Sequence, residues 1–390
     1  MITPVLPSYS RAKLRFVRGQ GPWLEDEQGR RFLDFGAGIA VNVLGHSHPK
    51  LVETLKTQGE KLWHVSNLYE VPGQEQLAEA LTEATFADTV FFTNSGTEAT
   101  ECAVKMARKY HAVHGTGRDE IITFSGAFHG RTLGMISAAG NEKHLEGFGP
   151  RLPGFVHVET GDEDALRAAV TDKTAALMIE PIQGESGIQP VPDSFLRLMR
   201  QLCDDHGLLL IFDEIQCGMG RTGKLFAYEW TGVTPDIMSI AKGIGGGFPL
   251  GACLATEAAA VGMTAGTHGS TYGGNPLACA IGNAVMEEVN TAEFLQHVQR
   301  ISGTLRQKLE GLVDSHPGVF SAVRGAGLMI GLKCVLPNGD VVNAAREAGL
   351  LTVPGGDNVV RLLPPLNITE DDINDALERL ETAATALEDA

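Results

Sequence analysis

The sequence has no apolar run near the roughly 20 residues that a membrane-spanning helix requires. It opens without a basic stretch leading into an apolar one, and Pro4 and Pro7 interrupt it early, so no secretory leader is expected. Cysteine is sparse. The six, at positions 102, 203, 217, 253, 279 and 334, form no CxxC pair and no regular spacing, which argues against a disulfide framework and for a reducing cytoplasm. Positive charge is short as well: 31 Lys and Arg stand against 48 Asp and Glu, a net charge of −17. So acidic a chain is not built to cover nucleic acid or an anionic membrane, although this leaves room for local basic pockets that take small anions. Metal-ligand spacing is missing too. His46 and His48, in Gly45-His-Ser-His-Pro49, have no third His or Glu at ligand spacing, and no metal is expected.

What is present suits a globular protein of two domains: 390 residues, 43% hydrophobic and 20% charged, with 47 glycines falling largely between apolar runs. Trp23–Phe35 reads as two short strands around a Gln-Gly turn. Helix-period segments follow from about residue 50 and across 73–85. From Thr89 an alternation sets in. Short apolar strands at Thr89–Thr93, Ile121–Phe124, Phe155–Val158, Ala175–Ile179, Leu208–Phe212 and Ile237–Ile240, with Gly251–Ala255 as one more, alternate with helical segments at 97–113, 162–170 and 193–206. The pattern predicts an α/β fold with a mostly parallel sheet of about seven strands covered on both faces. After Asn275-Pro276 the chain is strongly helical to about 314, then offers strands near 320–334 and 359–363 and a final helix at 369–387. The expected organisation is a large α/β domain over 51–275 and a smaller α+β domain from both chain ends, 1–50 and 276–390, with a long connecting helix at the start of the latter.

Sites in open α/β sheets form at the carboxyl ends of the strands. After Ile237–Ile240 comes Ala241-Lys242-Gly243, with a glycine cluster behind it. A lysine there is costly to desolvate, and a desolvated amine is the kind that condenses with an aldehyde; a solvated loop lysine is the ordinary alternative. After the first strand, Asn94-Ser95-Gly96-Thr97-Glu98 opens a helix whose free amides suit a phosphate, or Ser95 simply caps it. Phe128-His-Gly-Arg131 offers a flat ring cover and a bidentate carboxylate binder. Glu185, beside Gly184, is placed to act as a gate or to sit in solvent. Asp213, at the end of Leu208–Phe212, can be buried if paired with a cation such as a protonated pyridine nitrogen, and Gln216 follows it. Ser270 and Thr271 add hydroxyls suited to phosphate, and Arg361, alone in an apolar strand, needs an anionic partner. The segment Gly218-Met-Gly220-Arg-Thr-Gly223-Lys224 imitates nucleotide-binding patterns, yet Leu225 fills the hydroxyl position of a P-loop and a poor helix follows. A nucleotide-binding protein is therefore the alternative from outside this chemistry. Taken together, an aldehyde-binding lysine, an acid for a ring nitrogen, a phosphate cradle and a ring cover match pyridoxal 5′-phosphate.

The chain resembles the class III aminotransferases of pyridoxal-phosphate fold type I nearly end to end, from Leu33-Asp-Phe-Gly-Ala-Gly-Ile-Ala-Val-Asn42 to Val360-Arg-Leu-Leu-Pro364. The motifs that carry the resemblance are Asn94-Ser-Gly-Thr-Glu-Ala99, Phe128-His-Gly-Arg-Thr132, Glu180-Pro-Ile-Gln-Gly-Glu185, Asp213-Glu-Ile-Gln216 and Ala241-Lys-Gly243. It implies that Lys242 binds the cofactor aldehyde and shuttles a proton. Asp213 would keep the pyridine nitrogen protonated, Gln216 bond the ring hydroxyl and Phe128 stack on the ring. Ser95, Gly96 and Thr97 would hold the phosphate, joined by Thr271 from the second subunit of a homodimer. Arg131, with Ser270 nearby, would take the donor's α-carboxylate, and Arg361 a carboxylate of 2-oxoglutarate. Glu185 would cover Arg361 while the donor is bound. Acetylornithine is the donor implied first, with succinyl-diaminopimelate, ornithine and 4-aminobutyrate as donors of sister reactions. Glu70 and Ser186 depart from the residues common in the family, Tyr and Gly.

Overall fold

The computed structural model describes residues 3–389. Its central sheet has seven strands: β1 Thr89–Thr93, β2 Glu120–Phe124, β3 Phe155–Val158, β4 Thr174–Ile179, β5 Leu209–Asp213, β6 Ile237–Ile240 and β7 Gly251–Ala255. The order across the sheet is β1-β7-β6-β5-β4-β2-β3. The run β6-β5-β4-β2-β3 is parallel, and β7 is antiparallel to both of its neighbours. Composition explains the arrangement. All six residues of β4, Thr-Ala-Ala-Leu-Met-Ile, are buried, as are all of β5, β6 and β7. Strands without polar alternation must be covered on both faces, and helices cover them. The strand expected to end at Phe212 extends by one residue, so that Asp213 closes β5.

Two helices show how local chemistry ends the strands in the right place. Helix α1, Gly96–Val113, starts two residues past β1, with the Ser95 hydroxyl accepting from the Glu98 amide as its cap. Its buried stripe, including Ala99, Ala103, Met106 and Ala107, lies on the sheet. Helix α2, Asp193–His206, stops at Gly207 in the left-handed conformation (φ +64°), and β5 begins two residues on.

Helix α3, Pro276–Val289, is capped by the Asn275 side chain and buried along most of its length. It packs against the helices Pro49–Gly59 and Pro72–Ala84. Helix α4, Ala292–Ser315, then packs on the strand Phe320–Ala326 and on the last helix, α5, Glu370–Glu388. That strand joins an antiparallel sheet with Met329–Cys334, Val359–Leu362 and Val353–Gly355, in that order. The two ends of the chain meet in a second small sheet, where Leu350–Leu351 runs parallel to Leu33–Asp34. Its other strands are Phe16–Gln20 and Trp23–Asp26. Residues 350–355 thus bridge the two small sheets, Leu350–Leu351 pairing with the N-terminal strand Arg31–Asp34 and Val353–Gly355 with Val359–Leu362, the strand that carries Arg361.

Candidate active site

The carboxyl ends of the parallel strands open into a cleft of about 460 Å³. Its walls bring together Ser95, Gly96, Thr97, Phe128, Arg131, Asp213, Gln216 and Lys242, which lie up to 147 positions apart in sequence (242 − 95 = 147). Ser270 and Thr271 are elsewhere. They line a neighbouring surface hollow with His64, Asn67 and Leu68. Ser270 touches the cleft only indirectly, its Oγ receiving the Asn94 Nδ2 at 3.3 Å, and Thr271 is exposed.

Lys242 sits where β6 gives way to a tight turn over Lys242–Gly245. Its backbone is held at φ +48°, in the left-handed region that a lysine adopts only under constraint. The glycines behind it make that possible, since Gly246 and Gly247 also have positive φ, and a Cβ on Gly247 would stand 2.8 Å from Asn42 Oδ1. The ammonium is set among charges of both signs. Desolvation pushes its pKa down, Glu185 opposes this, Arg361 adds to it, and the value falls to about 8. An amine so placed is about one-tenth neutral at pH 7, against less than about a thousandth for an ordinary lysine.

Asp213 is 2% exposed, with Oδ1 accepting from the Ile215 amide at 3.1 Å and Oδ2 lying 2.8 Å from His129 Nδ1. His129 is itself buried, and its Nε2 has no partner. Burial, the largest single influence, lowers the imidazole pKa, but the bond to Asp213 and the charges of Asp213 and Glu180 together outweigh it and raise it. Beneath both lies Glu180, whose Oε1 accepts from the Phe128 amide at 2.8 Å and Oε2 from the Gly184 amide at 3.2 Å. Burial first, and the nearby Asp213 second, raise the Glu180 carboxyl above the usual range. Sequence reasoning singled out neither His129 nor Glu180 as a site residue. The available signal was position: Glu180 directly follows β4, and His129 lies in the loop after β2 between Phe128 and Arg131.

At the other end of the cleft the Gly96 and Thr97 amides open α1. Asn94 is fixed there by Glu98 Oε2, which accepts from its backbone amide at 2.6 Å and its side chain at 3.0 Å. Gly130 (φ +132°) must be glycine, because a Cβ would meet Thr97 Oγ1 at 2.1 Å and Thr97 Cα at 2.9 Å. Gly184 is constrained likewise by the Gln216 side chain, 2.3 Å from where its Cβ would be. Gln216 is buried, and its Oε1 is an acceptor with no donor. Phe128 lines the same space with the Arg131 guanidinium 5.5 Å over its ring, while Arg131 itself is exposed at the rim. Pyridoxal 5′-phosphate fits this set. It has an aldehyde for Lys242, a ring hydroxyl for the orphaned Gln216 oxygen, a ring nitrogen for Asp213 and a phosphate for the α1 amides.

Beside Lys242, Arg361 is 2% exposed and forms a two-pronged pair with Glu185, Nη1 to Oε1 at 2.5 Å and Nη2 to Oε2 at 3.1 Å. Its guanidinium is also held by the carbonyls of Gly184 at 3.3 Å and Pro354 at 3.0 Å. The anionic partner that the lone strand arginine required is therefore Glu185. Burial raises the Glu185 carboxyl, but Arg361 outweighs burial and holds it below the usual range. A further wall was invisible in the sequence. Ala37–Ala40 turns through four left-handed residues, including Ile39 at φ +64°, with Asp34 Oδ1 accepting from the Gly36 and Ala37 amides, and delivers Val41 to the cleft.

The nucleotide-binding alternative is overturned. Gly218–Gly223 is buried against helices α3 and α4, where Cβ atoms on Gly220 and Gly223 would strike Val289 and Gln299. Arg221 is fully buried, donating to the carbonyls of Leu328 at 3.1 Å and Pro364 at 2.5 Å. The helix that follows spans only Tyr228–Thr231. Neither an open glycine loop nor a helix N-terminus for phosphates is available there. His46 also has a partner in Asp34, 2.8 Å from its Nε2.

Comparison with known proteins agrees with this geometry. The family model "Aminotransferase class-III" matches residues 7–384. The acetylornithine aminotransferase of Rhodobacter capsulatus is 64% identical over 389 residues, covering 100% of this chain and 99% of that protein. That of Brucella melitensis is 60% identical over 387 residues, covering 99% and 96%. Among solved structures, the N-acetylornithine aminotransferase from Stenotrophomonas maltophilia is 40% identical with a TM-score of 0.86, covering 97% of this chain and 98% of that one. The ornithine aminotransferase from Toxoplasma gondii is 30% identical with a TM-score of 0.94, covering 99% and 93%.

Proposed function

The chain belongs to the class-III aminotransferases, and from that premise we propose that it transfers the terminal amino group of N2-acetyl-L-ornithine to 2-oxoglutarate. The products are N-acetyl-L-glutamate 5-semialdehyde and L-glutamate, a step of arginine biosynthesis. The observation that carries the reading is the Glu185–Arg361 pair beside Lys242, taken with full-length identity to acetylornithine aminotransferases. The cofactor is pyridoxal 5′-phosphate. When bound, it supplies an aldehyde for the amine and a protonated ring that withdraws electrons from the substrate carbon.

The residues divide the remaining work. Asp213, oriented by His129, would hold the proton of the ring nitrogen, and the 2.8 Å contact to His129 Nδ1 keeps that carboxylate from drifting. Gln216 Oε1 accepts the ring hydroxyl, Phe128 covers the ring face, and Ser95, Gly96 and Thr97 hold the phosphate. Lys242 Nζ, with its lowered pKa, would take a proton from the carbon bearing the amine and return it two bonds away, across the nitrogen, to the former aldehyde carbon of the cofactor. Arg131 at the rim binds the donor's α-carboxylate. With Arg361 covered by Glu185, a donor's α-carboxylate is directed to Arg131 and its far amine toward Lys242. When 2-oxoglutarate enters, Glu185 swings away and Arg361 takes a carboxylate instead. One site thereby serves two differently charged substrates in turn.

A homodimer completes the site in this reading. Thr271 is exposed beside Tyr272 (61% exposed), Leu68 (86%) and Tyr69 (67%), a patch of apolar surface that a second copy would cover. Thr271 would there reach the phosphate of the facing subunit. Six unpaired, buried cysteines suit a reducing cytoplasm, and among the described residues no helix is long and apolar enough to cross a membrane. The test is the visible absorbance of the purified protein. It should be present in wild type and absent from Lys242→Ala, and a wild-type protein without it would sink the reading.

A further inference from the structure

A basic hollow in this acidic chain lies apart from the cleft. A surface pocket of about 540 Å³ is lined by Lys13, Arg30, Arg31, Arg346 and Arg379, with Glu347 as the single acid among its charged walls. It shares no lining residue with the catalytic cleft and exceeds it in volume. Five cations around one hollow are unexpected in a protein of net charge −17. Two of them are neutralised: Arg30 by Asp26 at 2.7 Å and Arg379 by Asp375 at 2.5 Å. Among the described residues, Lys13, Arg31 and Arg346 have no carboxylate oxygen within ion-pair distance, the Arg346 guanidinium donating instead to Asn343 Oδ1 at 2.7 Å.

The pocket is built and not merely decorated. Two guanidiniums lie over the Trp23 ring, Arg31 at 4.5 Å and Arg379 at 5.4 Å. One aromatic ring thus holds two like charges together in fixed orientation. Arg379 reaches its place because residue 349 is glycine at φ +86°. A Cβ there would stand 2.2 Å from Arg379 Nη1, which instead donates to the Ala348 carbonyl at 2.9 Å. Lys13, Arg31 and Arg346, the three cations here without a carboxylate partner, repel one another unless an anion sits between them, and planar guanidiniums bind oxyanions in a two-pronged way.

We propose that this pocket is a binding site for a small multivalent oxyanion, a polycarboxylate or a phosphate, held chiefly by Arg31, Arg346 and Lys13 with Arg379 as a fixed wall. The site is independent of which amine donor the cleft accepts. The test is calorimetric titration of the cofactor-loaded enzyme with citrate and, separately, inorganic pyrophosphate at constant ionic strength. It compares wild type with the Arg31→Ser/Arg346→Ser double variant and with a charge-matched control, Arg197→Ser/Lys308→Ser, on exposed helix faces. The proposal expects saturable one-to-one binding of at least one anion. The pocket variant should weaken it by about tenfold or more through loss of two charge-assisted contacts, and the control by less than about twofold. Binding of both anions assigns the shared oxyanion chemistry, and binding of one assigns a carboxylate or a phosphate ligand. No saturable heat from either, or equal losses in the two double variants, overturns it.

Discussion

Replacing Glu185 with Gln probes the proposed substrate switch most sharply, because it keeps the shape of the side chain and deletes its charge. In the resting protein Arg361 is nearly sealed from water and tied to Glu185 by two contacts of 2.5 and 3.1 Å. The carboxylate of 2-oxoglutarate must displace that tie before it can use the guanidinium. A two-pronged pair of this kind contributes a few kcal/mol when buried, and the 34% exposure of the Glu185 side chain discounts that to about 1–2 kcal/mol. Arg361 stays in place in the variant, since the carbonyls of Gly184 and Pro354 still hold it. The KM for 2-oxoglutarate should therefore fall by about 5–30-fold, the factor that 1–2 kcal/mol represents. The same uncovered cation should draw the α-carboxylate of the donor away from Arg131 and slow the donor half-reaction. Stopped-flow measurement of each half-reaction separately reads both effects. A KM for 2-oxoglutarate that is unchanged or higher in Glu185→Gln would refute the gate.

Three other outcomes follow from the same geometry. Arg361→Ala should impair the 2-oxoglutarate half-reaction more than the donor half-reaction, and equal losses would count against separate carboxylate sites. Because burial brings Lys242 to about 8, the rate at which the apoenzyme takes up pyridoxal 5′-phosphate should climb with pH and level off above about 8; a climb continuing toward the ordinary lysine value of 10.5 would contradict its setting. Glu214 is buried, accepts from the Ala227 and Tyr228 amides at 2.7 Å each, and burial raises its pKa from 4.5 to about 7. Its folded-state value lies above the unfolded one, so the stability it adds is complete below 4.5 and is lost as pH rises through about 7, at most about 3 kcal/mol. Thermal unfolding of Glu214→Gln should show a shallower decline across that interval than wild type, and parallel curves would rule the assignment out.

The sheet was readable in the sequence because its strands are short, apolar and interrupted by helices with clear caps, from Ser95 before α1 to Gly207 after α2. The catalytic end was readable for a related reason: strand ends are fixed in sequence, and a Lys, an Asp or an Arg placed there has no structural use. What sequence could not supply was mutual arrangement. Nothing in Arg361 or Glu185 alone names the other, 176 positions away; the family resemblance paired them, and the fold shows the contact. His129 and Glu180 were passed over because a buried His or Glu reads as ordinary until the Asp213 carboxylate is seen between them. The left-handed turn at Ala37–Ala40 has no composition signal, since Ala and Ile do not favour positive φ. Ser270 and Thr271 belong outside the cleft of their own chain, which is intelligible only if a second chain is considered.

The central claim is a donor bearing an α-carboxylate for Arg131 and a distant amine for Lys242. Single-turnover amino transfer onto the cofactor-loaded enzyme, with no acceptor present, tests it by comparing acetylornithine, ornithine, succinyl-diaminopimelate and 4-aminobutyrate. The account predicts that acetylornithine reacts fastest and that Arg131→Ala removes its advantage. Fastest reaction of 4-aminobutyrate, which carries no α-carboxylate beside an amine-bearing carbon, would contradict it.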